Sequence, residues 1–246
     1  MHPLVVICHN NHFYVKNTLV QAESFGLRSI VVDNASSYEE TRAFLKTIER
    51  SVEVLRRPDN AGSVCWKLPP VYESLPDRFF LTDPDLQWNP RMPTDFTKIL
   101  DALCTQYGAR KIGFALDLSD NERMFQDADY HHGKTIWDWE ARFWVDRMPH
   151  ASYELYAAEI DTTFHLFDKT NTGAEIRIAG NFTAKHLPWY RDTVLPPHDL
   201  AHMYMLHGPP YSTTARLVFR EMARKDVRWT PCDGCRHLLP PQKKEG

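Results

Sequence analysis

Asp83-Pro84-Asp85 is the densest chemical signal in this chain of 246 residues. Two carboxylates one residue apart repel each other. A hard divalent cation, Mg²⁺ or Mn²⁺, relieves that repulsion and keeps coordination positions open for phosphate oxygens. Pro84 restricts the backbone between the acids and favours one chelating geometry. The pair directly follows the run Phe79-Phe80-Leu81, so a strand there delivers both acids to the mouth of a sheet. A second pair, Asp127 and Asp129, lies near His131 and His132 with no apolar strand before it; it reads as a solvated loop.

Three further polar clusters follow apolar runs in the same way. His9, Asn10 and Asn11 come after residues 4–8, and Asp33, Asn34, Ala35 and Ser36 after residues 29–33. Arg57, Asp59, Asn60 and Gly62 come after residues 52–55. In an open parallel sheet, ligands gather beyond the carboxyl ends of the strands. One polar edge is only a wet loop. Four in succession, one of them holding paired acids, point to a shared crevice.

The elements that must position these residues alternate strand and helix. Strands are expected over residues 4–8, 29–33, 52–55, 78–82 and 111–116. A helix over residues 14–25 carries Val15, Leu19, Ala22 and Phe25 at helical spacing, and Gly26 suits its left-handed cap. Ser36 or Ser37 caps a second helix running to Glu49, with Glu39 and Glu40 in its first turn. A third helix spans about residues 93–107. Continuously apolar strands alternating with helices indicate an α/β fold with a mostly parallel central sheet covered by helices on both faces.

Beyond residue 116 the pattern is less regular. Trp137, Trp139, Phe143 and Trp144 are spaced for one face of a helix. Residues 160–167 and 175–178 read as two strands joined by the turn Asn171-Thr172-Gly173. Further helices are expected near residues 200–207 and 213–225, followed by a loosely held tail over 231–246. With no repeat and no linker, a single domain is expected.

A formal charge of -3 argues against a nucleic-acid partner bound through a basic surface, while leaving room for a local pocket that takes a phosphorylated small molecule. The apolar runs fall far short of the roughly 20 residues that span a bilayer. Residues 3–8 lack a positive flank and are interrupted by His9-Asn10-Asn11-His12, so a secretory leader is not expected. Five cysteines at irregular spacing fit a reducing, cytoplasmic compartment better than a disulfide framework. Cys232 and Cys235 form a lone CxxC, which cannot make a four-ligand zinc site.

In sequence order, Val5-Val6-Ile7-Cys8-His9-Asn10, Val31-Val32-Asp33-Asn34-Ala35-Ser36, Arg57-Pro58-Asp59-Asn60-Ala61-Gly62 and Leu81-Thr82-Asp83-Pro84-Asp85 resemble the successive motifs of GT-A fold glycosyltransferases, especially the family 2 group. The likeness covers roughly residues 3–116. Beyond it, Asp161-Thr162-Thr163-Phe164 and His186-Leu187-Pro188-Trp189-Tyr190 look like segments of small bacterial and viral members. The resemblance implies a nucleotide-sugar-binding half over 1–116 and an acceptor-side half over 117–230. It implies metal-dependent, inverting transfer of a sugar from a nucleotide-diphosphate donor to a glycan or other hydroxyl acceptor. His9, Asn10, Asp33, Asn34, Arg57, Asn60 and Gly62 would seat the nucleotide. Asp83 would reach the ribose or the metal, and Asp85 would be the principal ligand of Mn²⁺ or Mg²⁺. Asn34 stands where the family usually has a second acid.

Inversion needs a base within reach of the acceptor hydroxyl. The candidates are Asp161, Glu140 and Asp138, with Asp161 preferred; tryptophans around Glu140 would raise its pKa by desolvation. His186 is an ordinary structural histidine or, by analogy with the family, a third metal ligand. Trp137, Trp139, Trp189 and Tyr190 are either core or sugar-stacking surfaces. Two other readings share the sheet. One is a sugar-1-phosphate nucleotidyltransferase, against which the His9–His12 segment counts because it has neither glycine nor a basic cluster. The other is a catalytically silent carbohydrate-binding domain.

Overall fold

A computed structural model of the chain describes residues 2–126 and 130–191. Asp127 and Asp129, the expected helices over 200–207 and 213–225, Cys232, Cys235 and the tail lie outside the described residues. The strands and helices in chain order are β1 (Leu4–Cys8), α1 (His12–Ser24), β2 (Ser29–Asp33), α2 (Glu39–Ile48), β3 (Glu53–Arg56), α3 (Val71–Ser74), β4 (Arg78–Thr82), β5 (Leu86–Trp88), α4 (Phe96–Tyr107), β6 (Lys111–Leu116), α5 (Ile136–Ala141), β7 (Arg147–Met148), β8 (Leu155–Ala157), β9 (His165–Asp168) and β10 (Glu175–His186). Short 3-10 turns at Gly62–Lys67 and Arg142–Trp144 flank the site.

The ten strands among the described residues join one sheet in the order β3-β2-β1-β4-β9-β6-β10-β8-β7, with β5 pairing β10. The sheet is parallel through β3, β2, β1 and β4 and again between β6 and β10. Its other pairings are antiparallel. The expectation of a mostly parallel sheet therefore fits the N-terminal half, and the whole is mixed α/β. Strand alternation splits the core. Leu4, Val6 and Cys8 face a cluster with Val15, Leu45, Phe96 and Leu100 of the long helices. Val5 and Ile7 face Cys65, Trp66, Val71 and Leu75. Both faces are thus dry, which is why these strands read as continuous apolar runs. Among the described residues no helix is long and apolar enough to cross a membrane.

The structure corrects three expectations. First, the strand expected over residues 160–167 is confined to His165–Asp168, and the turn after it does not pair it with the strand at 175–178. β9 inserts antiparallel between β4 and β6, and β10 lies on the far side of β6. β10 is also longer than the pattern suggests, because a register shift between Ile178 and Thr183 lets it continue past Gly180, which has φ +67°. Second, neither Ser36 nor Ser37 caps α2. Their N–H groups donate to Asp33 Oδ1 and Asn10 Oδ1 at 2.9 and 2.8 Å, so the helix begins only at Glu39. Third, the Trp-rich segment is not one helix face. α5 buries Ile136 and Glu140 and gives way to the 3-10 turn, leaving Trp137 44% exposed.

Candidate functional site

The loops after β1, β2 and β3 are laced together by amides and a histidine. Asn10, left-handed at φ 55°, accepts the N–H groups of Ser37 and Tyr38 on Oδ1, each at 2.8 Å. Asn34 donates from Nδ2 to Asn60 Oδ1 at 2.7 Å and to the Gly62 carbonyl at 3.0 Å, while its Oδ1 accepts the Ala61 N–H at 2.9 Å. His9 Nδ1 lies 2.7 Å from the Asn34 carbonyl, and its Nε2 lies 3.2 Å from Asn60 Nδ2. Burial pushes the His9 imidazole below its ordinary pKa. Asn10 and Asn34 are almost wholly out of water and spend both ends of their amides on this lacing. They shape the loops after β1, β2 and β3. Asp33 and Arg57 border a separate surface groove with Ser36, Arg42 and Lys46. Arg57 pairs there with Asp59 at 3.2 Å.

Asp83, Asp161, Glu140 and His186 line one cavity of about 500 Å³, whose rim includes Ser63 and Val64 just after Gly62. Asp83 is placed by its neighbours. Its N–H donates to the Thr162 carbonyl at 2.8 Å, and its Oδ2 accepts a close hydrogen bond from the Thr162 hydroxyl. Asp85 immediately precedes β5, where His186 of β10 pairs with Leu86. The antiparallel register therefore brings His186 Nε2 to 3.4 Å from Asp85 Oδ2, with the side chains 18% and 20% exposed. Asp85 Oδ1 and His186 Nδ1 are buried and find no partner among the described residues. Burial, then the repulsion between the two acids, pushes Asp83 up to about 7; burial does the same to Asp85 and holds His186 down to about 4.

Orphaned carboxylate and imidazole atoms in a partly dry site are suited to a divalent cation. Mixed oxygen and nitrogen donors fit Mn²⁺ better than Mg²⁺. Among the described residues, no three acidic, histidine or cysteine groups converge on one point, so the protein alone supplies no closed coordination shell.

The three candidate bases are differently placed. Asp161 is exposed at the cavity and makes no hydrogen bond or ion pair with a described residue. Glu140 is in direct contact with the Arg177 guanidinium, both side chains being buried. Asp138 is the third residue of α5 and closes its capping box with Thr135. Trp139 carries the Arg142 guanidinium 3.5 Å from its ring centroid and His131 at 3.8 Å, so its ring is already covered. Trp189 and Tyr190 are core residues, and Trp189 packs against His186 at 4.7 Å.

Four cations at the cavity were not singled out from the sequence: Lys67, Lys111, Arg142 and Arg177. Arg177 does leave a signal there, a charge flanked by Ile176 and Ile178 in an apolar strand, which calls for a buried partner. Arg142 stands among aromatics, a setting that suits guanidinium stacking. Lys67 and Lys111 leave none.

No family model matches the chain, and no curated protein matches it. Among solved structures, HddC from Yersinia pseudotuberculosis in complex with GMP-PN overlaps at a TM-score of 0.40 and 10% identity, over 69% of this chain and 78% of that one. HddC in a second structure overlaps at 0.39 with the same identity and coverage. An overlap this loose assigns neither family nor activity.

Proposed function

We propose that the chain is a metal-dependent glycosyltransferase of the GT-A type, moving a sugar from a nucleotide-diphosphate donor to a hydroxyl acceptor with inversion. The observation that carries this reading is the meeting of Asp85 with His186, each with an orphaned buried donor atom, beside Asp83. A bound Mn²⁺ or Mg²⁺ supplies Lewis-acid stabilisation of the negative charge that grows on a departing diphosphate.

The chain's own residues divide the remaining work. Thr162 holds the Asp83 carboxylate in one orientation. The His9, Asn10, Asn34 and Asn60 lacing holds the loop that presents Gly62, Ser63 and Val64 to the nucleotide, while Asp33 and Arg57 flank the base or ribose from the neighbouring groove. Lys67 lines the cavity and makes no ion pair with a described residue, so it meets phosphate charge. Asp161 takes the proton of the acceptor hydroxyl as that oxygen bonds to the anomeric carbon and the bond to the β-phosphate oxygen breaks. Glu140 is not the base in this scheme, because the Arg177 guanidinium occupies its carboxylate.

The nucleotidyltransferase alternative needs backbone N–H groups free to cradle phosphate after β1. Here the His9 and Asn10 N–H groups already donate to Asn11 Oδ1 and Ser36 Oγ, each at 3.0 Å. The deciding experiment screens UDP-, GDP-, dTDP- and CMP-sugars by thermal shift with and without Mn²⁺, then measures donor turnover in the natural chain and in Asp85→Ala. One nucleotide class is expected to stabilise the fold only with Mn²⁺, and Asp85→Ala is expected to lose turnover by about 10²–10³-fold. Condensation of a nucleoside triphosphate with a sugar 1-phosphate replaces this reading by the nucleotidyltransferase. Donor binding without any turnover replaces it by a silent binding domain.

A further inference from the structure

One guanidinium of the cavity wall makes no ion pair with a described residue, although the acids Asp83, Glu159 and Asp161 line the same cavity. Lys111 is answered by Glu175 at 3.0 Å, and Arg177 by Glu140. Arg142 lines the same cavity and ion-pairs with no described carboxylate. Its guanidinium carbon lies 4.3 Å from the Phe143 centroid, and that of Arg177 lies 3.9 Å from the same ring. Two positive groups therefore share one aromatic ring, with Glu140 the buried acid between them. A second ring, that of Trp139, lies 3.5 Å from the same guanidinium carbon. A stacked guanidinium loses little further freedom on binding and keeps its N–H edge for a planar, two-point acceptor.

We infer that Arg142 forms an acceptor subsite for a sugar bearing an oxyanion, either a carboxylate or a phosphate. The inference rests on the glycosyltransferase reading for the word acceptor, but the oxyanion site itself rests on the stacked guanidinium that no described carboxylate pairs. Arg142 comes from chain beyond β6, in a part of the wall that the loops after β1, β2 and β3 do not build. Donor phosphate charge falls instead to Lys67 and the Asp85–His186 corner. Lys67 is itself held below its ordinary pKa, by burial first and then by Lys111 and Arg110, against the pull of Glu175 and Asp161.

The test titrates glucose, glucuronate and glucose 6-phosphate into the natural chain, Arg142→Lys and Arg142→Gln, in EDTA and without nucleotide, following tryptophan fluorescence. At least one anionic sugar is expected to bind about tenfold tighter than glucose. That ratio should fall to about one in Arg142→Gln and lie between in Arg142→Lys. Preference for glucuronate assigns a carboxylate, and preference for glucose 6-phosphate assigns a phosphate. Equal behaviour of the three sugars in the natural chain, including failure of both anions to bind, overturns the inference, as does a preference that survives in Arg142→Gln. A parallel thermal-shift series with Mn²⁺ and nucleotide diphosphates keeps the two ideas apart. Unchanged nucleotide binding in Arg142→Gln supports the acceptor subsite, and nucleotide binding lost along with anion binding overturns it. An anion preference in a chain that binds no nucleotide removes the glycosyltransferase reading and leaves the oxyanion site standing.

Discussion

The carboxylate of Glu140 and the guanidinium of Arg177 are in contact with their side chains only 3% and 4% exposed. Burial pushes the Glu140 acid up to about 7 against the pull of Arg177, and burial likewise pulls the guanidinium down. Burial alone favours the neutral acid, and the Arg177 guanidinium, which stays charged, favours its carboxylate form. Removing one partner strands the other without water. Glu140→Gln is therefore expected to cost about 3–5 kcal/mol in urea unfolding, while turnover per folded molecule stays within a few-fold of the natural chain. A collapse of turnover in a fully folded variant would return the role of base to Glu140.

Asp161 carries the opposite expectation. It is exposed, lines the cavity and makes no ion pair with a described residue. Asp161→Asn keeps the shape and removes only the capacity to accept a proton. Its melting temperature is expected to match the natural chain, since such surface changes stay within about 0.5 kcal/mol. Its kcat is expected to fall by about 10²–10⁴-fold with KM for the donor unchanged. Full activity in this variant would place the base elsewhere.

The contrast between these two acids shows what the chain reveals before it folds. β1, β2, β4 and β6 have the ends that periodicity gives them, because a strand buried on both faces announces itself in consecutive apolar residues. Gly26 has φ +66° and its N–H donates to the Glu23 carbonyl at 2.9 Å, closing α1 as its type suggests. Expectation parts from structure wherever a distant segment decides the outcome. Nothing local places β9 between β4 and β6. β5 is three residues long, too short for a periodic signal, yet its pairing with β10 is what sets His186 beside Asp85. The burial of Glu140 agrees with the expected desolvated acid; Arg177, which pairs with it, arrives from another strand.

Asp168 anchors the turn after β9. Its Oδ1 accepts the Thr170 hydroxyl and N–H at 2.6 and 2.9 Å, and its Oδ2 accepts Arg78 Nε at 2.8 Å and Asn171 Nδ2 at 3.0 Å. Burial pushes this carboxyl up, but Thr170 and Arg78 outweigh it and hold it below the ordinary range. An acid with a lowered folded pKa contributes stability above its unfolded value, about 3.9, and loses it as pH falls through the folded value. Urea unfolding at pH 7 is expected to show Asp168→Asn less stable by about 1.5–3 kcal/mol. The gap should narrow below pH ~4, where the natural chain gives up its advantage. A gap that stays constant down to acid would remove the carboxylate from this role.

Gly113 of β6 marks where β9 comes closest. A Cβ there would stand 2.1 Å from the Phe164 carbonyl oxygen and 2.5 Å from the His165 Cβ, leaving the two strands no room to pair. Gly113→Ala is expected to destabilise the fold by about 1–3 kcal/mol or more, seen as a lower urea midpoint. An unchanged midpoint would contradict the insertion of β9 between β4 and β6.

Thr162 tests whether the orientation of Asp83 matters for turnover. Its hydroxyl donates to Asp83 Oδ2 while its carbonyl accepts the Asp83 N–H, so one residue holds both the backbone and the carboxylate of the first acid. Thr162→Val keeps the shape and the backbone contact but removes the hydroxyl, leaving Asp83 free to turn towards Asp85. Because Thr162 touches no reacting atom in the proposed scheme, it is a positioning residue, and such partners are worth about 10–100-fold in metal affinity or activity. The expected result is a rise of that order in the Mn²⁺ concentration giving half-maximal turnover, with kcat at saturating Mn²⁺ largely restored. Thr162→Ser, which keeps the hydroxyl, should return the Mn²⁺ requirement to that of the natural chain. A merely structural threonine would lower stability in both variants without moving the Mn²⁺ requirement, and that outcome would detach Asp83 from the ion.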